Sequence, residues 1–147
     1  MSDTERRKRW MGLLAKAPVA EISKLWTALE ISPEFECLRA PEVGGVMVRG
    51  RAGATGAPFN VGEMTVTRCS LRLACGAVGH GYVQGRDKNH ARLAALIDGA
   101  MQTDLACRIE AGVLKPLQTM MEETRRVRSA KAAATKVDFF TMARGED

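Results

Sequence analysis

Residues 62–90 constrain the fold of this chain more than any other stretch of its sequence. The first part, residues 62–73, is rich in β-branched and apolar residues and begins at a glycine, which predicts one long strand. Residues 78–84 predict the return strand of a hairpin, and Asp87 is a residue type that favours a helix N-cap. We therefore expect a strand, a hairpin and a helix N-terminus to meet in this stretch.

The apolar residues of the first predicted strand change face along its length. They occupy even positions up to Val66 and odd positions from Cys69 onward. A β-bulge at Thr67 and Arg68 would restore the alternation, and bulges often re-aim a side chain beside a functional site. A strand that is buried on both faces, or bent over a helix, is an equal alternative.

The rest of the sequence predicts helices before and after the segment that forms the sheet. The predicted elements are a helix capped by Ser2 or Asp3, a helix over 19–29, strands over 34–40 and 43–50 joined at Pro41 and Glu42, a helix after Asp87, a helix over 105–113 and a long helix from Pro116. The glycine-rich residues 50–58 lack the lysine ending of a phosphate-binding P-loop, which favours a plain hairpin loop. Together these patterns predict one α+β domain over residues 1–147, with a mostly antiparallel sheet, N-terminal helices and a C-terminal helical segment.

The charge and composition of the chain indicate which classes of partner it can bind. A net charge of +5, with basic residues crowded at 6–9 and in the last helix, suits an anionic partner. Nucleic acid is not expected, because only 5% of the residues are aromatic and no known nucleic-acid-binding pattern occurs. The longest apolar run, residues 93–97, is too short to span a membrane, and no signal-peptide pattern is present. We therefore expect a cytoplasmic protein that does not contact the membrane.

The four cysteines include no CxxC pair. Cys69, Cys75, His80 and His90 would supply enough ligands for zinc, but their spacing matches no finger or ribbon. Free thiols are the default in a reducing cytosol, so we predict no metal site.

Basic side chains gather around the predicted helix N-terminus after the hairpin. Arg86, Lys88 and His90 share the turn over 85–90, where first-turn amides favour an anion, and Arg68 lies in the neighbouring strand. These four residues are the predicted anion-binding set. His90 also lies on the apolar stripe of the helix, so a hydrogen-bonded core histidine is an equal alternative. No catalytic residue is predicted, because the sequence has no pair of carboxylates, no GxSxG elbow and no HExxH motif.

The end of the chain is unusually apolar for a terminus. Phe139, Phe140 and Met142 would each gain roughly 1.5 to 3 kcal/mol on burial. We predict that this tail docks on a partner by strand addition, with Asp138 and Arg144 setting the register. An edge strand on the chain's own sheet is the alternative.

Three segments are similar to those of a known family: residues 62–69 read GEMTVTRC, residues 82–91 read YVQGRDKNHA and residues 137–145 read VDFFTMARG. Residues 9–11 and 94–98 look similar as well. On these motifs the whole chain resembles the PhnG subunit family of the bacterial carbon-phosphorus lyase core complex.

The resemblance implies a role in organic phosphonate catabolism. It implies that the chain works with PhnI, PhnH and PhnL in forming α-D-ribose 1-methylphosphonate 5-triphosphate from MgATP and methylphosphonate with release of adenine. PhnJ then cuts the carbon-phosphorus bond. The family carries no catalytic residue over to this sequence, which implies an accessory subunit of a transferase and lyase complex that binds no cofactor itself. The competing hypothesis is a stand-alone module that binds or modifies a phosphorylated compound through Arg68, Arg86, Lys88 and His90.

Overall fold

The computed structural model describes residues 2–137, so the predicted partner-binding residues Phe139, Phe140, Met142 and Arg144 lie outside the described part of the chain. The elements, in chain order, are the helices and strands α1 (Asp3–Lys16), α2 (Val19–Ala28), β1 (Phe35–Arg51), β2 (Pro58–Leu73), β3 (Val78–Gln84), α3 (Lys88–Ala100), α4 (Ala106–Ile109) and α5 (Lys115–Ala134). A 3-10 turn, Ala52–Ala54, connects β1 to β2, and a π-helical turn, Glu110–Leu114, connects α4 to α5.

The three strands form one antiparallel sheet in the order β1-β2-β3. Helix α3 packs against β2 and β3. We call the face of the sheet that it covers the inner face and the opposite face the outer face. This arrangement confirms the predicted α+β class, with N-terminal helices and a helical C-terminal segment around a mostly antiparallel sheet.

The prediction of two strands joined at Pro41 and Glu42 is wrong, because β1 is a single strand. Its pairing with β2 shifts between Cys37 and Arg39 and again between Arg39 and Glu42, and each shift leaves one extra residue on β1. A proline is tolerated here because β1 lies at the edge of the sheet and needs no N–H donor toward solvent. The glycine-rich residues 50–58 form the hairpin connection that the sequence favours.

The predicted bulge at Thr67 and Arg68 is also wrong. Strand β2 pairs with β3 without interruption over residues 66–72, and the nearby irregularities lie in β1. Val66 and Thr67 are both buried although successive strand residues point to opposite faces. Burial of Thr67 is tolerated because its hydroxyl donates to the Gly85 carbonyl at 2.7 Å.

The core lies between the inner face of the sheet and the helices. Helix α3 approaches β3 so closely that a Cβ atom at Gly79 or Gly81 would overlap the backbone carbonyl of Ala95 or Ala91. The largest fully buried side chains come from α1, α2, β2, α3 and the C-terminal helical segment, and they include Leu14, Ile22, Leu71, Ile97, Ile109 and Leu117.

The helices predicted over 105–113 and from Pro116 form one helical segment. Ile109, Leu114 and the residues that follow each of them have helical dihedral angles, so the π turn joins α4 to α5 without a break. Pro116 has no N–H to donate to the Gly112 carbonyl four residues earlier. A π turn widens the helix next to such a missing bond, which explains why it occurs immediately before this proline.

Candidate functional site

The turn before α3 leaves two of the predicted basic side chains exposed. Gly85 has a φ of 90°, which favours glycine, and the side chains of Arg86 and Lys88 are exposed and have no polar partner among residues 2–137. Asp87 caps α3, because its Oδ1 accepts from the backbone N–H groups of Asn89 at 2.8 Å and His90 at 3.0 Å. This carboxylate therefore occupies two of the amides that an external anion would use.

His90 and Arg68 lie on opposite sides of the sheet. His90 is only 7% exposed, and its Nε2 lies 2.6 Å from the Leu14 carbonyl, so Nε2 carries the proton and donates it to α1. Arg68 is on the outer face, where its Nε donates to Glu42 at 2.5 Å. Arg68 and Arg39 together lower the pKa of the Glu42 carboxyl by hydrogen bonding. The structure thus brings only Arg86 and Lys88 of the four predicted residues to one exposed turn.

A buried carboxylate that the sequence analysis did not single out joins three elements. Asp98 in α3 is 0% exposed and accepts four hydrogen bonds. The donors are Arg7 Nε at 3.1 Å, Arg7 Nη2 at 2.6 Å, Trp10 Nε1 at 2.8 Å and the backbone N–H of His80 at 2.9 Å. Arg7 also donates to the Val78 carbonyl at 3.1 Å. One carboxylate therefore ties α1, α3 and the start of β3 together, with its charge compensated by the guanidinium.

The sequence did contain a signal for this cluster. Asp98 interrupts the otherwise apolar run of residues 93–101, and a carboxylate within such a run requires a cationic or multiple-donor partner. Arg7 and Trp10 are three residues apart in α1, which places them on one helix face. Two segments that carry the family resemblance, residues 9–11 and 94–98, include Trp10 and Asp98.

A serine and a histidine side chain lie close together on the sheet, as they do in some catalytic sites. Ser70 Oγ and His80 Nδ1 lie 2.9 Å apart on the outer face, but within residues 2–137 no carboxylate side chain is hydrogen-bonded to the imidazole. No three histidine, cysteine, aspartate or glutamate side chains in this part of the chain are grouped to hold a metal ion. No helix described here is long and apolar enough to cross a membrane.

The β1–β2 hairpin extends well beyond the third strand. We call residues 45–65 the arm. Strand β3 pairs with β2 only over residues 66–72, so the arm is a two-stranded ribbon, and none of its residues is buried. Met47 is 58% and Val61 is 60% exposed, and Val48 and Phe59 are exposed as well. Met47 and Val48 are neighbours and point to opposite faces, so both faces of the arm present apolar side chains to solvent.

Helix α5 projects from the core in a similar way. Leu117, in its first turn, is its only buried residue, and every residue from 122 to 134 is exposed. Basic residues crowd this exposed part, among them Arg125, Arg126 and Arg128. Arg126 pairs with Glu123 at 2.7 Å, within the helix. An exposed helix of this length with a basic surface suits contact with an acidic protein surface.

The comparisons with known proteins agree on one family. A family model described as "Phosphonate metabolism protein PhnG" matches residues 5–145. A relative from Rhizobium meliloti (strain 1021), named "Alpha-D-ribose 1-methylphosphonate 5-triphosphate synthase subunit PhnG", is 44% identical over 142 residues. That alignment covers 97% of this chain and 91% of the relative.

Proposed function

We propose, from the premise that this chain belongs to the PhnG family of phosphonate metabolism proteins, that it is a subunit of an α-D-ribose 1-methylphosphonate 5-triphosphate synthase. The family match and the 44% identical synthase subunit support this role in phosphonate catabolism. In this role the chain contributes by binding other subunits, and it supplies no catalytic group of its own.

The exposed arm is the observation that supports a binding role most strongly. An isolated two-stranded ribbon is marginally stable in water, and here it carries Met47, Val48, Phe59 and Val61 without covering any of them. Large apolar side chains that stay exposed on both faces of a projecting ribbon support a surface that another protein covers. Each of them would contribute roughly 1.5 to 3 kcal/mol when fully buried in an interface.

The chemistry of the described residues supports the accessory assignment. The carboxylate of Asp98 is buried and accepts four hydrogen bonds within the chain, and His90 is only 7% exposed, so neither group is accessible to a substrate at the surface. The partners we propose are PhnI-, PhnH-, PhnJ- and PhnL-like subunits, with MgATP and methylphosphonate as substrates of the assembly. A stand-alone role for the exposed Arg86 and Lys88 turn is the alternative, and it predicts that the chain does not join the other subunits.

Co-expression with candidate PhnI, PhnH and PhnJ subunits, followed by size-exclusion chromatography with light scattering, tests the proposal. The wild-type chain is expected to elute with the other subunits in one complex. A double variant of the arm, Phe59→Asp with Val61→Asp, is expected to leave that complex, because two carboxylates would have to be desolvated in the interface.

A matched variant separates the arm from a general effect of charge. Ser23→Asp with Thr27→Asp adds the same two charges at exposed positions of α2 and should still elute with the partners. Circular dichroism of both isolated variants checks that they remain folded. If the wild-type chain elutes alone, the subunit role is wrong; if the arm variant still joins the complex, the arm is not the binding surface.

A further inference from the structure

A cleft separate from the arm lies where the start of α1, the end of α3 and the π turn meet. It has a volume of about 360 Å³, which lies within the range of small-molecule sites. Its apolar lining comes from Trp10, Leu13, Met101 and Leu114. These four side chains give the cleft an apolar side against which a compact apolar group can pack.

The indole that lines this cleft is held in a fixed position. Trp10 Nε1 donates to the buried carboxylate of Asp98 at 2.8 Å, and Arg7 holds that same carboxylate through two hydrogen bonds. A ring fixed in this way loses little conformational entropy when a flat group packs against it. The hydrogen bonds that join α1 to α3 therefore also hold the indole in place at the cleft.

The polar lining is predominantly cationic. Arg6, Arg9 and Lys115 line the cleft together with one acidic residue, Glu110, and the neutral Gln118. Arg6 makes only a long ion pair of 3.9 Å with the exposed Asp3. Lys115 has no side-chain partner among residues 2–137. Two cations beside the cleft are therefore weakly engaged or unengaged within the chain.

We propose that this cleft binds a small anion that carries a flat aromatic group, such as an aryl phosphate. The aromatic group packs against Trp10 and Leu13, and the anionic group is bound by Arg6 and Lys115. The Glu110 carboxylate can accept a hydrogen bond from a hydroxyl group on such a ligand, which would fix the orientation of the ligand in the cleft. The cleft is separate from the arm, so ligand binding there does not depend on the subunit role.

Isothermal titration of the full-length chain with 1-naphthyl phosphate tests the proposal, with 1-naphthol and inorganic phosphate as comparators. The aryl phosphate should bind at least about tenfold more tightly than either comparator, because only it uses both the aromatic lining and the cations. Lys115→Gln should weaken binding of the aryl phosphate by about tenfold. Lys131→Gln is the matched control, since it removes the same charge from an exposed position further along α5, and it should change the affinity less than about twofold.

Three results would overturn the proposal. The first is no measurable binding of 1-naphthyl phosphate up to about 5 mM, which is weaker than the affinity of small-molecule sites in general. The second is equal affinity for 1-naphthol or for inorganic phosphate. The third is equal loss of affinity in the Lys115→Gln and Lys131→Gln variants, which would show charge attraction to the whole helix and no site in the cleft.

Discussion

At the scale of single residues, Asp98 joins three elements of the fold although the sequence analysis did not single it out. Its side chain accepts from Arg7, Trp10 and the His80 backbone while fully buried. Asp98→Asn would keep one acceptor oxygen but would turn an NH₂ group toward donors. We expect the free energy of unfolding in urea to fall by about 3 kcal/mol, as for other buried pairs that lose one charge.

The matched control for that variant is Asp104→Asn, since Asp104 is exposed and has no side-chain partner among residues 2–137. It should change the free energy of unfolding by less than about 0.5 kcal/mol. Equal stabilities of the two variants would show that the Asp98 cluster does not hold α1 in place.

The four cysteine side chains differ in exposure, so their reactivity tests the packing of the core. Cys69 is buried on the inner face, and this desolvation raises the pKa of its thiol above the usual 9.0, whereas Cys37, Cys75 and Cys107 are exposed. The thiolate is the reactive form, so at pH 8 an aromatic disulfide reagent should modify three thiols quickly and the fourth only when the chain unfolds. Because the folded-state pKa is raised, the same desolvation should make the chain less stable as the pH rises above 9. Four fast thiols in the native chain would contradict the described packing.

The exposed basic turn and the buried histidine should respond differently to substitution. Arg86→Ala removes an exposed side chain without a partner among residues 2–137, so the free energy of unfolding should change by less than about 0.5 kcal/mol. His90→Ala loses the hydrogen bond to the Leu14 carbonyl and should lower the free energy of unfolding by about 2 kcal/mol.

If Arg86 binds an anion, Arg86→Ala should lower the activity of the assembled complex while complex formation persists. Loss of assembly and activity together would make Arg86 a partner contact.

At the scale of elements, the sequence predicted the type of each helix or strand better than the residues at which it begins and ends. The caps and apolar stripes placed α1, α2 and α3 correctly because those signals are local. The same local reasoning divided β1 at Pro41, where edge position overrides the proline signal, and placed a bulge in β2 that the structure has in β1. It did not find the Asp98 cluster, because that cluster depends on residues about 90 positions apart.

The C-terminal tail stays a prediction at this scale. If residues 137–147 bind a partner and make no contact with the core described within residues 2–137, deleting them should leave the urea unfolding midpoint of the isolated chain unchanged. The truncated chain should then fail to enter the complex during size-exclusion chromatography. A truncated chain that aggregates or unfolds by itself would instead assign the tail to the intrachain core.

At the scale of the whole molecule, the arm and most of α5 project from the core of residues 2–137. Within residues 2–137 the core is formed by α1, α2, α3 and residues 66–83 and 109–117, whereas the arm and most of α5 contribute no buried residue. A chain organised in this way has surface to offer to other proteins on two projecting elements. Membership of the PhnG family and the exposed arm therefore support the same account, in which the chain works by assembling a synthase.

Adenine release is the measurement that tests this account most directly. Purified complexes of PhnI, PhnH and PhnL subunits, with and without this chain, would be given MgATP and methylphosphonate, and free adenine would be measured by liquid chromatography. The account predicts adenine release only when the chain is present with the other subunits, and none from the chain alone. Full activity without the chain, or adenine release by the chain alone, would contradict it.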